Sequence, residues 1–258
     1  MQDWNPQLYS RYEDERTRPA RELLARVPLT DPSVVVDLGC GPGNSTELLV
    51  ARYPRARVIG VDNSKAMLDS AQKRLPSVDF VAADIADWVP DVAPNLIYAN
   101  AALQWVSAHE ALIPRLFGAL GPGGVLAVQM PDNRAEPTHR HMRALADESP
   151  YKAAIGDSGA VRTKLLRIQQ YYDLLARDAA QVDVWHTVYQ HPMDSAASIV
   201  EWVRGTGLKP FVDPLTDTLR AQFLASYEQR IDSEYPVRSD GKRLLAFPRM
   251  FIVAQRPA

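Results

Sequence analysis

The chain has 258 residues, is 46% hydrophobic and 23% charged, and carries a formal net charge of −2. That length allows one large domain or a core with a smaller cover, and the near-neutral balance excludes a global basic field for nucleic acid. Cys40 is the only cysteine, which excludes an intrachain disulfide and a multi-cysteine metal site.

No apolar run approaches the ~18 residues of a membrane span. The start, "MQDWNPQLYSRYEDERTRP", is too polar and acidic for a secretion signal, so a reducing, cytoplasmic setting without a membrane partner is expected. In chain order, "SVVVDLG" reads as a buried strand and "NSTELLVARY" as a helix opened by polar Asn44, Ser45 and Thr46. "ARVIGVD" is a second strand, and the following "NSKAMLDSAQKRL" has Met67, Leu68, Ala71 and Leu75 at helical spacing. "VDFVAAD" is a third strand ending at Asp84, and "NLIYAN" a fourth. A helix around "HEALIPRLFGAL" and a fifth strand in "GPGGVLAVQMPDN" follow. This alternation implies βαβ units and a parallel sheet with helices on both faces.

Beyond it, "RTKLLRIQQYYDLLAR" puts Leu165, Ile168, Tyr172 and Leu175 on one helical stripe, and "VDVWHTVYQH" alternates like a strand. "SAASIVEWVRGTG" and "TDTLRAQFLASYEQRI" read as two helices. "RMFIVAQR" reads as the last strand, with Pro248 just before it. The expected fold is α/β: a doubly wound, mostly parallel seven-stranded sheet with an antiparallel last strand and a helical cap. A single domain over 1–258 is expected. It would comprise an amino-terminal helical cover (1–30), a cofactor-binding half (31–133) and a substrate cover (134–181 and 192–235).

The first strand turn is Asp37-Leu38-Gly39-Cys40-Gly41-Pro42-Gly43. In such sheets ligands sit beyond the carboxyl ends of the strands, and glycines allow close backbone approach. Asp37 would repel a pyrophosphate but suits an ammonium, and Asn44 stands where a dinucleotide fingerprint has its third glycine. Asp62, ending the second strand, can accept from both hydroxyls of a ribose. Asp84 and Ile85 suit an adenine, the acid for its amino group and the isoleucine for its face. Amine, ribose and adenine together describe S-adenosyl-L-methionine rather than NAD. The plain alternative makes Asp37 and Asp62 local caps and Asp84 a surface loop residue. Cys40 is expected as a small turn residue, not a nucleophile, since no base accompanies it.

"DLGCGPG", "GVDNS", "AADI" and "LIYANAALQWV" resemble the motifs of class I S-adenosylmethionine-dependent methyltransferases, a Rossmann-like superfamily. The amino-terminal stretch, "NAALQWV", "VLAVQMPDNRAEPTHRHMR" and "LLAFPRMFIVAQR" are similar, more narrowly, to the trans-aconitate 2-methyltransferase family. The likeness covers nearly the whole chain and is weakest over Tyr151–Gln170. It implies methyl esterification of one carboxylate of trans-aconitate. It also implies a cofactor set of Asp37, Gly39, Gly41, Asp62, Asn63, Met67, Asp84 and Ile85, with Asn100 near the methionine part.

Such a reaction needs no acid or base, because a carboxylic acid titrates near pH 4 and is already an anion at neutral pH. Alignment and exclusion of water remain to be supplied, and Gln104 and Trp105 are the positioning candidates. A small-molecule tricarboxylate calls for arginine clamps. Candidates are Arg11, Arg16 and Arg18 near Trp4, Tyr9 and Tyr12; then His139, His141 and Arg143; then Tyr171, Tyr172 and Arg249. His139 and His141 point in different directions on a helix, so at most one faces a pocket and a metal is not expected. Other acceptor acids, free or carrier-linked, would leave the cofactor half unchanged. An NAD-dependent oxidoreductase is disfavoured by Asp37 and Asn44, and an activity test separates a non-catalytic binding protein.

Overall fold

The runs read as strands join one seven-stranded sheet in the order β3-β2-β1-β4-β5-β7-β6. The computed structural model describes residues 13–160, 164–205 and 207–258, with side chains from residue 17. The strands are β1 (Val34–Leu38), β2 (Arg57–Asp62), β3 (Asp79–Ala82), β4 (Leu96–Asn100), β5 (Val125–Pro131), β6 (Gln181–Met193) and β7 (Arg243–Gln255). β1, β4 and β5 are buried nearly throughout, which is why they read as unbroken apolar runs instead of alternating ones. β1 pairs in parallel with β2 and β4, and β4 with β5. The strand order therefore reverses at β1/β4, the crevice where such sheets bind ligands. Gly123 and Arg256 donate to Pro257 and Gly124, and Asp132 donates to Pro248. The opposed numbering makes β7 antiparallel to β5, as expected of the last strand.

The helices are α1 (Glu13–Ala25), α2 (Asn44–Arg52), α3 (Lys65–Arg74), α4 (His109–Gly118), α5 (Pro137–Ala146), α6 (Lys152–Ile155), α7 (Ile168–Ala176), α8 (Ala196–Arg204), α9 (Lys209–Val212) and α10 (Asp217–Glu234). Two compact units emerge. Among the described residues, the first comprises 13–131, 164–186 and 250–258, and the second 132–160, 187–205 and 207–249. Residues 164–181, expected with the cover, thus group with the cofactor half. In the first unit α7 packs on α4, and the Tyr98 hydroxyl donates to Ala20 O of α1 at 2.6 Å. In the second unit α10 packs on α5 and α8 through Phe223, Tyr227 and Ile231, all wholly buried. Their four-residue spacing forms one stripe, each side chain contributing roughly 1.5–3 kcal/mol.

Three local expectations are corrected. β3 ends at Ala82, so Asp84 lies two residues past the strand. On α7 the expected stripe holds at partly buried Ile168 and at buried Leu175, but Tyr171 stands between them and Tyr172 is 46% exposed; residues 168, 171 and 175 keep the spacing of one helix face. Pro248 lies inside β7, not before it. Among the described residues no helix is long and apolar enough to cross a membrane.

Candidate functional site

The β1–α2 turn is built by three glycines in left-handed conformations, Gly39, Gly41 and Gly43. A Cβ on Gly39 would come within 2.3 Å of Ala102 Cβ, so close packing demands glycine there. A Cβ on Gly41 would meet nothing within 4 Å, so that residue faces open space. Asp37 is wholly buried. Its Oδ2 accepts from Ser45 Oγ at 2.8 Å and Thr46 Oγ1 at 2.6 Å. Its Oδ1 is buried with no hydrogen-bond partner among the described residues. Burial raises the carboxyl to about 6, against the pull of the two hydroxyls. The polar start of α2 thus serves Asp37 as well as the helix, which the sequence reading did not foresee.

Asp62 accepts from Gly41 N through Oδ2 (2.9 Å) and from Ser64 N through Oδ1 (2.8 Å). A carboxylate has about four acceptor positions, so each oxygen keeps one for a ligand. Ser64, not Asp62, caps α3 by accepting from Met67 N, and Met67 itself is buried. Asp84 is exposed, accepts from Ala86 N, and receives Asn63 Nδ2 at 3.4 Å. Ile85 is half-buried, with Cδ1 3.3 Å from the position of a Gly39 Cβ. Arg115 of α4 holds this loop, donating to the carbonyls of Ile85, Ala86 and Trp88. Nothing in its helical spacing announced that. Cys40 is buried, and burial, then Asp37 and Asp62, push its thiol far up. It is inert as a nucleophile.

Asn100 ends β4 with Oδ1 buried and no partner among the described residues; the same holds for Oε1 of buried Gln104. Gln104 Nε2 donates to Ala101 O at 2.6 Å. Trp105 is 40% exposed and so is not a core residue. This turn is bracketed by Ala101 (φ 54°) and Ala108 (φ 55°), each a left-handed residue with a Cβ and each costing roughly 1–3 kcal/mol.

The acceptor candidates fare unequally. Arg11, Tyr9, Trp4 and Tyr12, and the side chain of Arg16, lie outside the described residues. Arg18 is spent on its own helix, 2.8 Å from Glu22 and 66% exposed. In the second unit His139 is buried beside Thr138 Oγ1, while His141 reaches Glu234 at 3.0 Å; the two do diverge. Arg143 donates to Arg134 O at 2.8 Å, and burial with the charges of Arg134 and Arg140 lowers its pKa. Arg249 is 4% exposed, with its guanidinium 4.9 Å from the Phe247 ring centre and 6.0 Å from that of Tyr189. Tyr171 belongs to the first unit and is wholly buried against His109, not in the cover. No group of three or more His, Cys, Asp or Glu residues suits a metal among the described residues.

Residues 35–124 match a family model described as a methyltransferase domain. The fold is similar to YcgJ of Bacillus subtilis, with a TM-score of 0.59 and 12% identity over 93% of this chain and 99% of that one. It is also similar to Haemonchus contortus phosphoethanolamine N-methyltransferase 2, with a TM-score of 0.55 and 15% identity over 93% and 53%. Sheet order, glycine turn and domain match define a class I methyltransferase, a class whose methyl donor is S-adenosyl-L-methionine. Curated relatives narrow this. The trans-aconitate 2-methyltransferases of Paracidovorax citrulli and Variovorax paradoxus are each 70% identical over 100% of both chains, and that of Yersinia pseudotuberculosis is 56% identical over 98%. The chain belongs to the trans-aconitate 2-methyltransferase family.

Proposed function

We propose that this chain transfers the methyl group of S-adenosyl-L-methionine to one carboxylate of trans-aconitate, with no acid or base. The observation that carries the reading is the wholly buried Asp37 carboxylate just before the glycine turn, whose Oδ1 has no hydrogen-bond partner among the described residues. The 70% identity to trans-aconitate 2-methyltransferases supports the acceptor.

The chemistry of the donor set fits this cofactor. Asp37, Asp62, Asp84 and Asn100 all offer acceptor oxygens, and an ammonium, ribose hydroxyls and an adenine amino group are all donors. A pyrophosphate would meet three acids. Asp37 takes the ammonium, Asp62 the ribose hydroxyls, and Asp84 with Ile85 the adenine. Gly39 and Gly41 permit close approach, Asn63 and Met67 complete the ribose side, and Asn100 lies by the methionine part. When bound, the sulfonium supplies an electrophilic methyl that a carboxylate oxygen takes by in-line displacement, giving the monomethyl ester and S-adenosylhomocysteine.

The residues act by holding and excluding. Gln104 and Trp105 wall the transfer and keep water from the oxygen; such positioning can supply up to roughly 7–11 kcal/mol. Arg249, stacked on two rings, has the fixed plane that bidentate recognition of a carboxylate requires. Arg143 and His139 are the further acceptor ligands, with Tyr172 a weaker candidate because of its exposure. No nucleic acid or membrane takes part, and the single reduced Cys40 suits the cytoplasm.

The test follows labelled methyl into base-labile ester with trans-aconitate, cis-aconitate and citrate offered separately. Transfer to trans-aconitate in preference to the others is expected. Tight cofactor binding without transfer to any would overturn the acceptor.

A further inference from the structure

The turn that presents Gln104 and Trp105 is held from outside by a buried pair. His109, the first residue of α4, has Nε2 2.9 Å from Leu103 O and Nδ1 2.5 Å from the Tyr171 hydroxyl of α7. A carbonyl oxygen can only accept, so Nε2 carries the proton. In the neutral ring Nδ1 then accepts and Tyr171 donates. Both residues are buried, His109 at 3% exposure and Tyr171 at 0%. A chain of two hydrogen bonds therefore runs from α7 through the imidazole to the backbone of the turn.

We propose that His109 and Tyr171 are positioning residues for methyl transfer, fixing through Leu103 O the 101–108 turn that carries Gln104 and Trp105. The inference rests on the reading of those two residues as the walls of the reaction. Three features of the turn make it more than core packing. Left-handed Ala101 and Ala108 close its two ends, a conformation that persists only where the surroundings impose it. Ala102 packs where a Gly39 Cβ would clash, so a shift of the turn disturbs the glycine loop. Gln104 holds a buried oxygen with no partner among the described residues, which a relaxed turn would release to water. Internally the turn has two backbone bonds, Trp105 N to Ala102 O and Val106 N to Leu103 O, and the Gln104 bond to Ala101 O. His109 ties this small unit to two helices.

The experiment compares the full-length parent with Tyr171→Phe, His109→Ala and His109→Gln. Phenylalanine keeps the buried ring and removes one oxygen; glutamine retains an amide N–H able to reach Leu103 O. Methyl transfer to trans-aconitate gives kcat and KM, calorimetry gives cofactor affinity, and hydrogen exchange reads the amides of residues 101–108. We expect kcat to fall about tenfold in Tyr171→Phe and on the order of a hundredfold in His109→Ala. His109→Gln should recover part of the loss. KM and cofactor affinity should stay within about twofold, since misplacement of the walls is a transition-state loss. Exchange should quicken in 101–108 and not in β1. A lowered melting temperature with kcat intact would make the pair ordinary core and overturn the proposal, as would loss of cofactor affinity in step with kcat. If His109→Ala does not fold, Tyr171→Phe and His109→Gln decide. A parent that transfers no methyl to trans-aconitate refutes the functional reading separately; unchanged exchange in the variants then overturns the tether on its own.

Discussion

In the first unit the proposed cofactor ligands sit at or just beyond the ends of parallel strands, each fixed by hydrogen bonds. Asp37 is held by Ser45 and Thr46, Asp62 by Gly41 and Ser64, Asp84 by Ala86. In the second unit the charged groups ride on helices and on the middle of the long strand β7. There Arg143 holds a backbone carbonyl, His141 meets Glu234, and Arg249 lies on aromatic rings. In the proposed function the first arrangement would read its ligand with backbone and acids, the second with arginine and ring faces.

Breaking the first unit should be the more costly. Gly39→Ala places a methyl on Ala102 at a left-handed residue, and we expect a loss of about 3–4 kcal/mol by denaturant unfolding, from strain and overpacking together. Asp37 comes next. Its folded-state pKa of about 6 exceeds the ordinary 3.8, so the stability given by the neutral form is complete below pH 3.8 and is lost as pH rises through 6. Ionised Asp37 then costs the unliganded fold about 3 kcal/mol. Asp37→Asn should stabilise the unliganded protein at pH 8 by up to that amount, leave it unchanged near pH 3.5, and weaken cofactor binding. In the parent, cofactor affinity should decline as pH drops below 6. A flat calorimetric profile between pH 5 and 8 would break the ammonium assignment.

Arg249→Met sharpens the other side of the comparison. It should raise KM for trans-aconitate by roughly ten- to a hundredfold, about 1.5–3 kcal/mol, without touching cofactor affinity; parallel steady-state and calorimetric titrations read both. Asp62→Ala should weaken cofactor binding by roughly 1–3 kcal/mol, and unchanged affinity would make Asp62 a turn brace alone. Arg18→Ala, which removes an exposed pair, should change stability and KM by less than about 0.5 kcal/mol.

The contrast also explains what the sequence disclosed. Strand runs, the glycine turn and three spaced acids are local patterns, and βαβ alternation implied the parallel pairing, whereas the strand order emerged only in the structure. Asp37's two hydroxyl partners were in view, but a polar helix start has the same composition whether or not it serves a carboxylate. Arg115, His109 and Tyr171 were hidden for a different reason. Their partners are backbone carbonyls or a helix distant in sequence, and a carbonyl leaves no mark on residue identity. On α7 only Tyr172 was misplaced: Tyr171 and Tyr172 both fit helical spacing between Ile168 and Leu175, and identity does not tell them apart. Residues 164–181 group with the first unit because α7 packs on α4, a tertiary choice that leaves no mark on composition.

Cys40 gives the molecule an internal reporter. It is the only thiol in the chain, sealed 3% exposed under the glycine turn with its proton held in place by burial and two acids. An alkylating reagent can reach it only when that turn opens. The rate of labelling therefore clocks the opening of the β1–α2 loop in unmodified protein, without an engineered probe, and occupancy of the loop would register as a slower clock.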